Sequence, residues 1–110
     1  HVYTSPLVRA VQTAEILVQR VHPACDVPVS VHLALSAEEG STTQALAPLS
    51  TTGASDTIAL VTHMPKVAGL AAYLTGAPRF EPFATGAAYM LVRGPSGLCE
   101  VEFVVTPDRL

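Results

Sequence analysis

The stretch TSPLVRAVQTAEIL, residues 4–17, decides the fold class of this 110-residue chain. Ser5 is a favourable helix N-cap, and Pro6 suits the first helical position because its ring fixes a helical backbone angle there. The apolar residues that follow recur every three or four positions, at Leu7, Val11, Ala14, Val18 and Val21. This spacing predicts an amphipathic helix over residues 6–21, preceded by a short strand in residues 1–4.

Three later segments continue the alternation of strands and helices. Residues 27–35 (VPVSVHLAL) alternate apolar and polar side chains, which predicts a half-buried strand. Residues 57–61 (TIALV) form a continuous apolar run, typical of a strand buried on both faces of a parallel sheet. Residues 62–76 (THMPKVAGLAAYLTG) return to helical spacing and end on Gly76, a favourable C-cap.

The last part of the chain predicts a β-hairpin. Residues 87–94 and 99–105 have strand-like sequences and are joined through GPSG at residues 94–97. In the second strand the expected apolar face comprises Cys99, Val101, Phe103 and Val105. The order strand–helix, strand, strand–helix and two strands predicts the α/β class, with a mixed, largely parallel sheet flanked by helices in a single domain over residues 1–110.

Composition limits the class of protein. Hydrophobic residues make up 49% of the chain and charged residues 14%, with a formal net charge of −3, which favours a compact folded domain over disorder. No run of Lys and Arg suggests a nucleic acid partner, and no apolar run reaches the roughly 18 residues of a membrane span. Cys25 and Cys99 lack zinc-type spacing, so we expect buried thiols and no metal site, while a disulfide between them stays open. Free thiols are typical of a reducing compartment, so we expect a cytoplasmic protein. We also expect no cofactor.

Two residues that carry charge or proton chemistry follow predicted strands. Arg9 stands in the first turn of the helix, where the dipole favours an anion, and His63 follows the strand at residues 57–61. If the two strands are neighbours, a guanidinium and an imidazole share one crevice with helix N–H groups, which suits a phosphoryl group. The residues alone leave two simpler interpretations open: a solvated Arg9 and a hydrogen-bonded structural His63.

The same residues resemble a known family. SPLVRAVQTAEIL (5–17) resembles the histidine phosphatase signature Ser-Pro-x-x-Arg-x-x-x-Thr-Ala, and IALVTHMPKVAGLAAYLTG (58–76) resembles the later strand–His–helix segment of that superfamily. The short chain and the ending FATGAAYMLVRG make it most similar to the SixA-type phosphohistidine phosphatases. The resemblance implies a histidine phosphatase-like fold in which Arg9 and His63 are catalytic and bind phosphate, with Thr85 and Gly86 in a substrate-binding loop.

The resemblance also implies a reaction. In this superfamily a histidine attacks phosphorus, and water then cleaves the covalent phosphohistidine intermediate. The implied function is hydrolysis of phosphohistidine on a signalling protein, without a cofactor and with a phosphorylated protein domain as partner. Two alternatives stay open: a small-molecule phosphomonoesterase acting on a small phosphoester, and a non-catalytic phosphate-binding pseudophosphatase.

The sequence departs from the family at its start. The nucleophilic histidine of the superfamily belongs to an Arg-His-Gly motif, which this sequence does not contain, and His1 is followed by Val2. We therefore expect the fold to be incomplete at the N-terminus, without its first strand and helix, and the chain to be the C-terminal portion of such a domain. In a largely parallel sheet, a missing inner strand leaves backbone N–H and C=O groups of its neighbours unpaired, which is costly. Alone, the chain is expected to bind oxyanions weakly, to show no turnover and to associate.

Overall fold

The computed structural model describes residues 1–21, 27–36, 41–50, 57–84 and 86–106. Contacts divide the chain into two compact units, residues 1–66 and 67–110, and the single domain expected over 1–110 stays a prediction. The α/β class is confirmed. In chain order the elements are β1 (Val2–Thr4), α1 (Val8–Val21), β2 (Val29–Val31), a 3₁₀ helix (Leu33–Leu35), α2 (Thr42–Ala45), a second 3₁₀ helix (Ala47–Ser50), β3 (Ala59–Val61), α3 (Lys66–Thr75), β4 (Ala88–Arg93) and β5 (Cys99–Val105).

The first unit contains a parallel sheet with the strand order β2-β1-β3. Tyr3 lies opposite Ser30 on one side and Leu60 on the other, so the strands are in register and end at the same edge. Beyond β1, the Ser5 N–H donates to the carbonyl of Val61 at 2.9 Å. β1 and β3 are therefore neighbours, which is the condition that a shared crevice requires.

The alternating stretch at residues 27–35 forms a shorter strand than its pattern predicts. β2 ends at Val31, and the His32 N–H donates to the Thr4 carbonyl at 2.8 Å. The chain after Thr4 leaves the sheet to form α1, so among the described residues no strand pairs with residues 33–35, which form the 3₁₀ helix instead. Leu35 becomes fully buried, while Leu33 stays 62% exposed.

The core of the first unit consists mainly of small side chains. α1 packs against all three strands, and the residues that it buries are alanines. The members of this core are Ala10, Ala14, Ala34, Leu35, Ala45 and Leu46. All three residues of β3 are half-buried, and among the described residues β3 pairs only with β1. The strand buried on both faces that the run TIALV predicts is therefore wrong for this part of the sheet.

α1 begins two residues later than predicted. It starts at Val8, and the Leu7 carbonyl accepts hydrogen bonds from the Ala10 and Val11 N–H groups, each at 3.0 Å. Leu7 therefore stands at the helix entry, and the predicted N-cap role of Ser5 is wrong. Further along the first unit, α2 carries a complete capping box between Ser41 and Gln44.

The helix predicted to end at Gly76 does so. α3 runs from Lys66 to Thr75, and Gly76 has a left-handed φ of 72°. The Gly76 N–H donates to the Tyr73 carbonyl at 3.3 Å and the Ala77 N–H to the Ala72 carbonyl at 3.0 Å. This double hydrogen bond is a Schellman motif, which requires the left-handed conformation that glycine adopts without steric cost.

β4 and β5 form the predicted antiparallel hairpin, with an irregularity in register between Met90 and Leu91. The Gly94 N–H closes the turn onto the Leu98 carbonyl at 2.8 Å. The described strands thus form a parallel sheet in the first unit and an antiparallel pair in the second, and the mixed, largely parallel sheet flanked by helices stays a prediction.

Of the apolar face predicted for β5, only the first residue is buried. Cys99 is a buried free thiol, whereas Val101, Phe103 and Val105 are each more than a third exposed. Cys25 lies outside the described residues. None of the helices in the described ranges is both long and apolar enough to cross a membrane.

Candidate functional site

The carboxyl ends of the three parallel strands bring polar side chains to one edge of the sheet. Ser5 follows β1, His32 follows β2, and Thr62 and His63 follow β3. Open parallel sheets bind their ligands at this edge, because helices begin there and the backbone N–H groups of the first helical turn have no partner within the helix. The candidate site therefore belongs to the first unit.

Ser5 and His63 are joined directly at this edge. The Ser5 Oγ lies 2.5 Å from the His63 Nε2, although 58 residues separate them in the sequence. Ser5 is fully buried and His63 is half-buried. The Ser5 hydroxyl, which was expected to cap the helix, is thus hydrogen-bonded to the histidine. This hydrogen bond joins the two stretches that carry the family resemblance.

Arg9 lies in the first turn of α1, four residues after Ser5, and is exposed. Its side chain makes no hydrogen bond or ion pair within the described part of the chain, and its carbonyl accepts from the Thr13 hydroxyl at 2.9 Å. The first turn of α1 contains no acidic residue. An exposed guanidinium and a helix N-terminus without a carboxylate are thus both available to an anion from solution.

Two further hydrogen bonds fasten the segment that carries His63. The Thr62 hydroxyl donates to the Leu35 carbonyl at 2.5 Å, and the Lys66 Nζ donates to the Ala34 carbonyl at 2.7 Å. Both acceptors lie on the first 3₁₀ helix, so the loop between β3 and α3 is tied to the loop that follows β2. Lys66 was not among the predicted site residues, although it is a cation in the first turn of a helix after a strand, as Arg9 is.

His32 has a structural contact at the same edge. Its Nε2 lies 2.7 Å from the Gln44 carbonyl oxygen, and its ring packs edge-on to Tyr3 with centroids 6.5 Å apart. A carbonyl oxygen can only accept, so the His32 Nε2 carries the proton. This bond fastens α2 to the end of β2. In the described ranges no group of three His, Cys, Asp or Glu side chains is placed to hold a metal ion.

The remaining predicted site residues are not brought to this edge by any observation. Thr85 lies outside the described residues. Gly86 belongs to the second unit and has a φ of 77°, a conformation that side chains other than glycine rarely adopt. Their role in a substrate-binding loop stays a prediction, whereas Ser5, predicted as a helix N-cap, joins the candidate site.

Comparison of the chain with protein-family models, with curated proteins and with solved structures gives no match. The likeness to the histidine phosphatases accordingly rests on the two motifs themselves.

Proposed function

We propose that this chain carries the phosphate-binding edge of a phosphohistidine phosphatase of the histidine phosphatase type. Arg9 and His63 bind the phosphoryl group, and the partner is a phosphorylated protein domain. The observation that carries the proposal is the hydrogen bond between Ser5 and His63, because it joins the two motifs that resemble separate signatures of that superfamily. Nucleophilic attack is not assigned to any of these residues, since the sequence has no Arg-His-Gly motif.

The chemistry of the three groups suits a tetrahedral dianion. A guanidinium presents a planar fork that donates to two oxygens at once, and an imidazole N–H can donate to a third. The unused N–H groups of the first turn of α1 add partial positive charge. These groups stabilise the charge on the transferring phosphoryl group, which is the main task of a protein in phosphoryl transfer.

Binding of inorganic phosphate to the 110-residue chain tests the proposal. We expect Arg9→Met to weaken binding about 10- to 100-fold, because a hydrogen bond to a charged group contributes about 1.5–3 kcal/mol. Arg20→Met is the matched control, since Arg20 is exposed in the last turn of the same helix and changes the net charge equally. Equal losses in the two variants, or no phosphate binding by the unchanged chain, would refute the proposed site.

Turnover by the purified chain tests the expected lack of catalysis. We expect the 110-residue chain to hydrolyse neither a phosphoramidate nor a phosphomonoester, because it lacks the nucleophile motif of the superfamily. The second candidate function is a non-catalytic phosphate-binding pseudophosphatase. Hydrolysis by the purified chain that disappears in His63→Ala would contradict the expected lack of turnover and would exclude this second candidate.

A further inference from the structure

We propose that Ser5 is a positioning residue that fixes the neutral imidazole of His63 in the tautomer with its proton on Nδ1. The Nδ1–H is then the donor that His63 offers to an anionic oxygen. The identity of that anion as a phosphoryl group rests on the proposed function, whereas the tautomer follows from the contacts of the two side chains alone.

The direction of the hydrogen bond follows from the burial of Ser5. A serine hydroxyl has one proton to donate, and a buried donor without an acceptor is costly. Ser5 is 0% exposed, and within the described residues the His63 Nε2 is the partner of its Oγ. If Nε2 carried the proton, it would donate to the Ser5 Oγ, and the hydroxyl hydrogen would have no acceptor among the described residues. Ser5 therefore donates and Nε2 accepts.

The other nitrogen of the ring follows from this assignment. A neutral imidazole carries one proton, so an accepting Nε2 places the proton on Nδ1. In the described part of the chain no hydrogen bond uses Nδ1. His63 therefore carries an Nδ1–H that no described residue accepts and that can donate to a bound anion.

The same contact argues against Ser5 as a nucleophile. A serine next to a histidine is the usual arrangement for covalent catalysis, in which the histidine takes the hydroxyl proton and the oxygen attacks the substrate. The attacking oxygen must reach the substrate, and the side chain of Ser5 is fully buried. Its hydroxyl instead acts through His63.

The test is the nitrogen NMR spectrum of the full 110-residue chain with ¹⁵N-labelled histidine, recorded near pH 8.5, about two units above the ordinary histidine pKa. Long-range proton–nitrogen correlations identify which ring nitrogen carries the proton. We expect Nδ1–H for His63 and Nε2–H for His32, whose Nε2 donates to the Gln44 carbonyl. The two histidines thus give opposite patterns in one sample.

Substitutions assign the effect to the hydroxyl. Ser5→Ala is expected to move His63 towards the Nε2–H form that imidazole prefers in water, and Ser5→Thr, which keeps a hydroxyl, to restore Nδ1–H. Thr4→Val is the matched control, because Thr4 is equally buried and its hydroxyl donates to the Ser5 carbonyl at 3.1 Å rather than to the imidazole. Loss of the Thr4 hydroxyl is therefore expected to leave the His63 pattern unchanged.

Two results would overturn the assignment: an Nε2–H pattern for His63 in the unchanged chain, or an Nδ1–H pattern that persists in Ser5→Ala. Should Ser5→Ala fail to fold, the unchanged chain and Ser5→Thr still decide, since both are expected to show Nδ1–H. Addition of inorganic phosphate separates the two proposals. A shifted Nδ1–H resonance supports both, whereas an Nδ1–H tautomer without a phosphate response upholds the role of Ser5 and counts against the oxyanion site.

Discussion

Replacing Leu35 by alanine should destabilise the first unit strongly. Leu35 has the largest fully buried side chain in the described chain, and the rest of the core around it is rich in alanine. Removing three carbons costs about 2.4 kcal/mol of transfer free energy at roughly 0.8 kcal/mol for each. The cavity adds to this, because a core made mainly of alanine has few longer side chains that could fill it, so we expect a total loss of about 3–4 kcal/mol.

Urea unfolding followed by far-ultraviolet circular dichroism measures this loss. With a urea dependence of about 1–3 kcal/mol per molar, the unfolding midpoint should fall by roughly 2 M. Leu33→Ala is the matched control, since it removes the same three carbons from the same 3₁₀ helix at a position that is 62% exposed. The control should change the free energy of unfolding by less than about 0.5 kcal/mol.

The same pair of variants reports on the candidate site. The Leu35 carbonyl accepts the Thr62 hydroxyl, and Thr62 directly precedes His63. Leu35→Ala should therefore also shift the imidazole resonances of His63, whereas Leu33→Ala should leave them in place. Equal destabilisation by the two variants would refute the packing of Leu35 on which this reasoning depends.

Three further predictions concern single positions elsewhere in the chain. Gly76→Ala should lower the free energy of unfolding by about 1–2 kcal/mol, because φ at this position is 72°. Gly69→Ala should raise it by roughly 0.5–1 kcal/mol, because Gly69 lies inside α3 and the added carbon meets open space. Thermal unfolding of both variants checks the opposite signs. Ser41→Ala should cost about 1 kcal/mol in urea unfolding, because it removes the capping box of α2. The hydrogen bond to Glu81 raises the pKa of Tyr89 above 10.0, so the free energy of unfolding should fall as pH increases beyond 10; Glu81→Gln should lower that pKa in an NMR titration and reduce this dependence.

The helices could be predicted from the sequence because their signals are local. The spacing of apolar residues located α1 and α3, and Gly76 marked the end of α3 correctly. Strand lengths depend on partners that are distant in the sequence. The alternation that favours a strand through Leu35 is real, but the ladder ends at Val31 because the neighbouring chain leaves the sheet after Thr4.

The candidate site could be predicted only in part for the same reason. Arg9 and His63 were identified because each follows a predicted strand, and this position in an α/β fold is informative by itself. Ser5 was assigned to the helix because serine suits both an N-cap and a buried hydrogen bond, and its local sequence is the same in either case. The pairing of β1 with β3 decides between the two, and that pairing is a tertiary property.

The register of that pairing determines which side chains meet at the candidate site. Thr4 lies opposite Val61, and the Ser5 N–H donates to the Val61 carbonyl. Ser5 is therefore one residue beyond the paired positions and His63 is two residues beyond them. Because successive side chains in a strand alternate between its faces, a slip of one residue would bring Thr62 to the place of His63 and leave the buried Ser5 hydroxyl without the imidazole. The hydrogen bonds from Thr62 and Lys66 to the first 3₁₀ helix also fix the position of the segment that carries His63. The candidate site thus depends on strand alignment as much as on the identity of its residues.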